Sequence, residues 1–135
     1  MKYKFHAYGH PNILASHKTT LEFTKDDEVS LRGACIVGVK SDFELERLKK
    51  FIKESKNNRI SITISNNKIH DTIFATINHN FNDKSELVVR KTNFISRRTF
   101  AINSDRAAAD LSRKLMAGLK EKKCKITVSL EAKPY

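Results

Sequence analysis

Two segments of this chain carry the same pattern, which restricts the folds open to it. Residues 36–42 read IVGVKSD and residues 99–105 read TFAINSD, and in both segments the Ser-Asp pair opens a helical stretch. Residues 10–16 and 70–76 resemble each other in a similar way. Repeated similarity along a chain is typical of a duplicated structural unit. We therefore predict a fold with pseudo-twofold symmetry.

Each predicted unit consists of a hairpin, a further strand and a helix. Residues 60–64 and 126–130 alternate apolar with polar side chains, which is the period of a half-buried strand. The second of these segments predicts a closing strand over residues 125–132. The two β-β-β-α units then cover residues 2–58 and 59–124.

Apolar positions at helical spacing predict two helices. The first follows Ser41-x-x-Glu44, which has the spacing of a capping box. Its apolar stripe is formed by Leu45, Leu48, Phe51 and Ile52. The second helix is predicted to turn four residues inward, namely Ala108, Leu111, Leu115 and Leu119.

These elements predict one α+β domain over residues 1–135, since a chain of this length suits a single core. We expect a small β-rich barrel or a curved sheet with two helices, because barrel closure removes exposed sheet edges. The sequence leaves the strand order open.

The composition indicates a polyanionic partner. The chain has 26 Lys and Arg against 15 Asp and Glu, which gives a net charge of +11. This is more charge than a small domain needs for solubility. Gly and Pro number only 4 and 2, which excludes a linker-like or fibrous chain. No apolar run has the length of a membrane span or a signal peptide, so we expect a cytoplasmic protein without membrane contact.

A basic segment at residues 88–100 is the best candidate for a nucleic-acid interface. Guanidinium groups bind phosphate oxygens in pairs, hydroxyl and amide groups add hydrogen bonds, and an aromatic ring can stack on an unpaired base. The second helix contributes further cations. The candidate nucleic-acid-binding residues are Arg90, Lys91, Phe94, Arg97, Arg98, Arg113 and Lys114. The alternatives are a solvated basic face and, for Phe94, a place in the core.

We therefore expect a non-enzymatic nucleic-acid-binding protein, with RNA or a ribonucleoprotein favoured over DNA. The sequence has no helix-turn-helix, zinc-finger or basic-zipper pattern. Docking on an acidic protein partner is another alternative. The oligomeric state stays open.

Residues 13–24 suggest a second kind of site. Read as one strand, they place His17 on an otherwise apolar face, and a histidine there can transfer protons. The alternative function is a small enzyme or anionic-ligand binder with a site around His17, Thr19, Glu22 and Arg32. The full set of candidate ligand-site residues is His10, His17, Thr19, Thr20, Glu22 and Arg32. A histidine bonded to a backbone carbonyl at the core rim explains His17 equally.

The sequence predicts no metal and no cofactor. The spacings between His6, His10 and His17 match no standard zinc pattern, even with Cys35 added. Neither Cys35 nor Cys124 belongs to a C-x-x-C pair, and Cys35 has the surroundings of a small buried apolar residue.

Several segments together resemble an archaeal family, the domain of unknown function 371. The resemblance begins with His10-Pro11-Asn12 and continues through residues 15–26, 32–39, 89–94, 98–105 and 107–110 and at Arg113. It implies an archaeal, cytoplasmic, single-domain protein, and it implies no activity. The positions that fall inside the family's motifs are His10, His17, Thr19, Thr20, Glu22, Arg32, Gly33, Arg90, Lys91 and Arg98.

Overall fold

The computed structural model describes residues 1–132, and these contain eight strands and two α-helices. The strands are β1 Lys2–Tyr8, β2 Thr20–Thr24, β3 Ile36–Gly38, β4 Arg59–Ser65, β5 His70–Ile77, β6 Glu86–Arg90, β7 Thr99–Ile102 and β8 Lys125–Ala132. The helices are α1 Leu45–Glu54 and α2 Arg113–Gly118, and a 3₁₀ turn at Ala108–Asp110 precedes α2. The predicted domain runs to residue 135, so residues 133–135 lie outside the described part.

All eight strands belong to one mixed sheet, in the order β1-β8-β4-β5-β7-β6-β2-β3. Most neighbours are antiparallel, whereas β2–β3 and β6–β7 are parallel. The prediction of an α+β domain with two helices is confirmed. The sheet is not closed into a barrel, although one antiparallel bridge between Tyr8 and Val39 connects its two ends.

Alternating side chains place the core on one side of the long strands. In β4 the buried residues are Ile60, Ile62 and Ile64, and in β8 they are Ile126, Val128, Leu130 and Ala132. β4 and β5 form a hairpin in which Ser65 pairs with His70. The helix stripes complete this core, since Leu48, Phe51 and Ile52 of α1 are buried, as are all four inward positions predicted for the second helix.

The predicted capping box is absent. α1 begins at Leu45 with Glu44 as its N-cap, and no side chain caps its first turn. Ser41 lies before the helix, in the turn that leaves β3, where its N–H donates to the Thr24 carbonyl. The Ser-Asp pair therefore serves this turn rather than the helix end.

The prediction of one strand over residues 13–24 is wrong in length and in exposure. Only Thr20–Thr24 form a strand, and the backbone of Ala15 turns through the left-handed region with φ 48. Both faces of β2 are buried, including its polar residues Thr20, Glu22 and Thr24. The alternation in the sequence is real. Its charged face, with Thr20, Glu22 and Thr24, predicts contact with solvent or with a ligand, but in the structure these side chains are buried.

The two repeated turns have matching geometry. Lys40 after β3 and Asn103 after β7 both have φ 51, in the left-handed region that few residues other than glycine adopt. Two residues further on, the Oδ1 atoms of Asp42 and Asp105 each accept a backbone N–H from a neighbouring strand. The paired segments 10–16 and 70–76 differ, because the first is a turn and loop while the second lies in β5. The duplicated unit as a whole stays a prediction.

Within residues 1–132, neither helix is long or apolar enough to cross a membrane.

Candidate functional site

A buried polar face on the β2–β6 pair forms the centre of the candidate site. Side chains alternate along β2, so Leu21 and Phe23 enter the core while Glu22 points to the opposite face. The antiparallel register sets Thr20 opposite Arg90, Glu22 opposite Val88 and Thr24 opposite Glu86. The polar residues of the two short strands therefore share one face.

Two crossover segments bring further groups to Glu22. Parallel strands need a crossover, and residues 25–35 connect β2 to β3 while residues 91–98 connect β6 to β7. The N–H of Glu22 donates to the Cys35 carbonyl at 2.9 Å, and the N–H of Val88 donates to the Arg98 carbonyl at 2.9 Å. Cys35 and Arg98 thus hold equivalent positions in the two crossovers.

Both side chains contact the Glu22 carboxyl group. The Cys35 thiol donates to Glu22 Oε1 at 3.7 Å, and Arg98 Nη1 lies 3.7 Å from the same oxygen. Arg98 Nη1 also donates to Glu86 Oε1 at 3.0 Å. We call Glu22, Cys35, Glu86 and Arg98 the Glu22 cluster.

The environment of this cluster keeps a proton on Glu22 at neutral pH. Only 5% of Glu22 is exposed, and burial together with a hydrogen bond to Glu86 raises its pKa to about 8. The same hydrogen bond, with help from Arg98, lowers the pKa of Glu86. One carboxyl group is therefore protonated and the other ionised, so the pair carries a single negative charge opposite Arg98.

Cys35 is poorly suited to act as a nucleophile here. Burial, and then the neighbouring Glu22 charge, raises the pKa of the Cys35 thiol to about 11. Nucleophilic cysteines depend on the thiolate and on a lowered pKa. Its role is that of a packed donor to Glu22.

Beside the cluster, Arg90 stacks on an exposed aromatic ring. The Arg90 guanidinium lies 4.9 Å from the centroid of the Phe94 ring, and Phe94 is 60% exposed. Arg90 Nε donates to Thr99 Oγ1 at 3.0 Å, and the same oxygen accepts the N–H of Ser96 at 3.1 Å. Because Thr99 is buried, these bonds anchor the crossover that carries Phe94.

Four segments, one of which carries Arg90 and Phe94, are joined by backbone hydrogen bonds, and we call them the four-loop surface: residues 13–19, 30–35, 90–98 and 106–114. The first segment hydrogen-bonds to each of the others. Ser16 and His17 N–H donate to the Ala34 carbonyl, Lys91 N–H donates to the Thr19 carbonyl, and Ala109 N–H donates to the His17 carbonyl. These bonds hold the segments at one surface.

This surface contains most of the excess charge of the chain. Its segments hold nine Lys and Arg and one Asp, so they account for +8 of the net +11. It also holds four of the five large apolar side chains exposed among residues 1–132, namely Leu14, Leu31, Phe94 and Ile95. Cations interleaved with exposed apolar groups are typical of a binding surface.

The family model for the domain of unknown function 371 matches residues 5–133. The chain belongs to this family. It is also similar to an uncharacterized protein of the archaeon Methanocaldococcus jannaschii, with 36% identity over 127 residues that cover 91% of this chain and 94% of the relative. The resemblance stated from the sequence is thereby confirmed, including its archaeal character.

The residues predicted to bind nucleic acid all lie in the segments of the four-loop surface. They differ from one another in exposure and in ion-pair partners. Lys91 Nζ lies 2.7 Å from Asp110, and Arg97 lies 3.7 Å from Asp83 while its side chain is 79% exposed. Lys114 is exposed and has no ion-pair partner among residues 1–132.

Arg113 has a structural role on this surface. Its guanidinium donates to the backbone carbonyls of Ala15, Ala108 and Leu111 at 3.2, 2.8 and 3.0 Å. Three of its donors are therefore already used in fixing the surface segments to one another.

The candidate ligand-site residues lie in several places. His17 Nδ1 accepts the N–H groups of Thr19 and Thr20 in an exposed turn. His10 is buried, and its Nε2 lies 2.6 Å from Glu28. Arg32 is exposed, and Glu22 alone enters the buried cluster. Within residues 1–132, no three His, Cys, Asp or Glu side chains are arranged to hold a metal ion.

Sequence reasoning missed Glu86, Thr99 and Asp110. Glu86 reaches Glu22 only through the pairing of β2 with β6, which joins residues 64 apart in the chain. Thr99 lies in the predicted basic segment at residues 88–100, but the sequence predicts no role for its hydroxyl group. Residues 83–99 hold five Lys and Arg against two acidic residues, so their composition gave no signal for Glu86.

Proposed function

We propose that this protein binds single-stranded RNA, alone or within a ribonucleoprotein, through the four-loop surface. The observation that carries the proposal is the Arg90–Phe94 pair, an exposed ring stacked on a guanidinium group that donates to a buried hydroxyl. Bases of a single strand expose their faces, and stacking on an aromatic side chain is a common way to bind them.

The charges around this pair supply the second part of the proposal. Lys18, Arg32, Arg97 and Lys114 are exposed on the four segments, and three of them have no ion-pair partner among residues 1–132. Exposed guanidinium and ammonium groups bind phosphates and release the counterions that surround a nucleic acid. Binding of this type is strong at low salt.

Duplex nucleic acid fits this surface less well. Only the first two residues of the six-residue α2 lie in the four segments, and one of them, Arg113, already donates to three carbonyls. A single strand adapts to a surface made of loops, whereas a groove requires an element that enters it. This supports RNA loops or unpaired ends as the partner.

The alternative with an enzyme or anionic-ligand site around His17, Thr19, Glu22 and Arg32 has less support. Among the described residues, hydrogen bonds join His17 to Thr19, and Glu22 bonds to a different set of groups. A docking site for an acidic protein uses the same cations, but it leaves the exposed Phe94 without a role.

A titration of labelled single-stranded RNA, duplex RNA and duplex DNA at about 50 mM and about 200 mM salt tests the proposal. If about five phosphates are contacted, the affinity for the single strand falls by about 100-fold between these salt concentrations. We expect the single strand to bind most tightly. Weak binding of all three at low salt would contradict the proposal and favour an acidic protein partner.

A further inference from the structure

The Phe94 ring has one face occupied and one free to receive a ligand. Arg90 covers one face at 4.9 Å, yet 60% of the residue stays exposed. The ring belongs to a crossover fixed at both ends, by Lys91 on the Thr19 carbonyl and by Ser96 on the buried Thr99 hydroxyl. A ring held in this way binds a base without first having to be ordered.

A second guanidinium group belongs to Arg98, the residue before the Thr99 that Arg90 contacts. Arg90 Nε donates a hydrogen bond to Thr99 Oγ1. Arg98 Nη1 donates to Glu86 Oε1. Among residues 1–132 no carboxylate lies within ion-pair distance of Arg90. Burial, and then the nearby Arg98 charge, lowers the pKa of Arg90. An anion placed between the two cations relieves their repulsion.

The protonation of Glu22 leaves one of these positive charges uncompensated. The groups facing Glu22 are Cys35, Glu86, Arg98 and, at longer range, Arg90. At neutral pH the thiol and Glu22 are neutral and Glu86 is ionised, so one negative charge faces two guanidinium groups. Ionisation of Glu22 above about pH 8 adds a second negative charge, so the attraction of this site for an anion is weaker there.

We infer that Phe94, Arg90 and Arg98 form a subsite for one nucleotide unit, with its base on the free face of Phe94 and its phosphate between the two guanidinium groups. The inference rests on the proposed function and adds to it, because it assigns one base and one phosphate to named side chains. Guanidinium groups suit a phosphate since each presents two parallel donors. In an RNA strand, this subsite holds one nucleotide, with its base on Phe94.

The test uses 2-aminopurine riboside 5′-monophosphate, whose fluorescence is quenched when its base stacks. The probe is titrated at low salt and neutral pH, and the matching riboside without phosphate is the control ligand. We expect saturable quenching with the monophosphate and none with the riboside. Phe94→Leu keeps an apolar side chain and should weaken binding by about tenfold or more, whereas Phe94→Tyr should retain it.

Two arginine variants separate this subsite from the wider surface. Arg98→Lys keeps the charge opposite Glu86 but loses the paired donors, so binding of the mononucleotide should fall. Arg97→Ala removes an exposed cation that pairs with Asp83, so mononucleotide binding should stay unchanged while RNA binding weakens. A circular dichroism spectrum for each variant confirms that it is folded.

The outcomes distinguish the inference from the proposed function. If RNA binds with strong salt dependence but the mononucleotide is not quenched and Phe94→Leu has no effect, the subsite is wrong while the proposed function stands. The subsite is also wrong if inorganic phosphate competes with RNA while the fluorescence of the nucleotide is not quenched, because the base then does not stack on Phe94. If neither RNA nor nucleotide binds, both proposals fail.

Discussion

Glu22 and Arg98 meet in the buried layer outside β2, with 3.7 Å between Glu22 Oε1 and Arg98 Nη1. One comes from the middle of a strand and the other from the crossover that carries the exposed Phe94. The protonation state of a buried carboxyl group is thereby linked to the charge of the surface above it. The first predictions concern this link.

Replacing Glu22 by Gln should change how stability depends on pH. The pKa of Glu22 is about 8 in the folded protein against an ordinary value of 4.5. Between these values the folded state holds a proton that the unfolded chain has released, so the free energy of unfolding of the wild type falls as pH rises. The slope from this one group reaches at most about 1.4 kcal/mol per pH unit.

Urea unfolding of both proteins at about pH 5, 7 and 9 measures this effect. Glu22→Gln should gain stability relative to the wild type as pH increases. Glu86, whose pKa is lowered, acts in the opposite direction and only below its ordinary value of 4.5, so it does not overlap this window. If the free energies of unfolding of the two proteins changed with pH in parallel, the pKa of Glu22 would not be raised in the folded state.

Replacing Arg98 by Ala should destabilise the fold more than replacing Arg97. Removal of Arg98 takes away the guanidinium group that donates to Glu86 Oε1 and lies 3.7 Å from Glu22 Oε1, at a cost of about 1–3 kcal/mol. Arg97→Ala should cost no more than about 0.5 kcal/mol, because its side chain is 79% exposed. Equal losses of the two variants in urea unfolding would contradict the assignment.

Cys35 should react slowly with alkylating reagents. Its pKa of about 11, raised by burial and by Glu22, leaves very little thiolate at about pH 8. Iodoacetamide labelling of a Cys124→Ser variant, followed by mass spectrometry, reports Cys35 alone. We expect a rate at least about tenfold below that of the urea-unfolded chain. A rate equal to that of the unfolded chain would show that the thiol is open and ionised.

Replacing the neighbours Arg113 and Lys114 by Ala should affect different properties, stability for Arg113 and RNA binding for Lys114. Arg113→Ala removes three hydrogen bonds to backbone carbonyls and should lower the free energy of unfolding by about 1–3 kcal/mol. Lys114→Ala should leave stability nearly unchanged and weaken RNA binding. Thermal unfolding and an RNA titration of both variants check this pair. A stable Arg113→Ala protein would mean that these bonds contribute little.

Two long strands and the first helix follow from local sequence patterns. The strict alternation in β4 and β8 and the apolar stripe of α1 predicted those elements correctly. Residues 13–19 misled because their alternation resembles that of the following strand, whereas Ala15 adopts φ 48 and the segment packs on the Ala34 carbonyl. Backbone hydrogen bonds to a distant loop leave no local pattern in a sequence.

The site was only partly predictable for a related reason. The basic residues around Phe94 are visible as a cluster in the sequence, but the exposure of that ring depends on Arg90 and Thr99. Phe100, which lies in the same basic segment, is fully buried. The meeting of Glu22 with Glu86 requires the β2–β6 register, which no spacing within either segment reveals.

The most direct test of the central proposal is the salt dependence of single-strand RNA binding for two charge-matched double variants. Arg97→Ala with Lys114→Ala removes two cations from the four-loop surface, and Lys49→Ala with Lys53→Ala removes two exposed cations from α1. The first variant should reduce the slope of log affinity against log salt by up to about 1.4, and the second should leave it unchanged. Equal effects of the two variants, or no effect of either, would contradict binding at the four-loop surface.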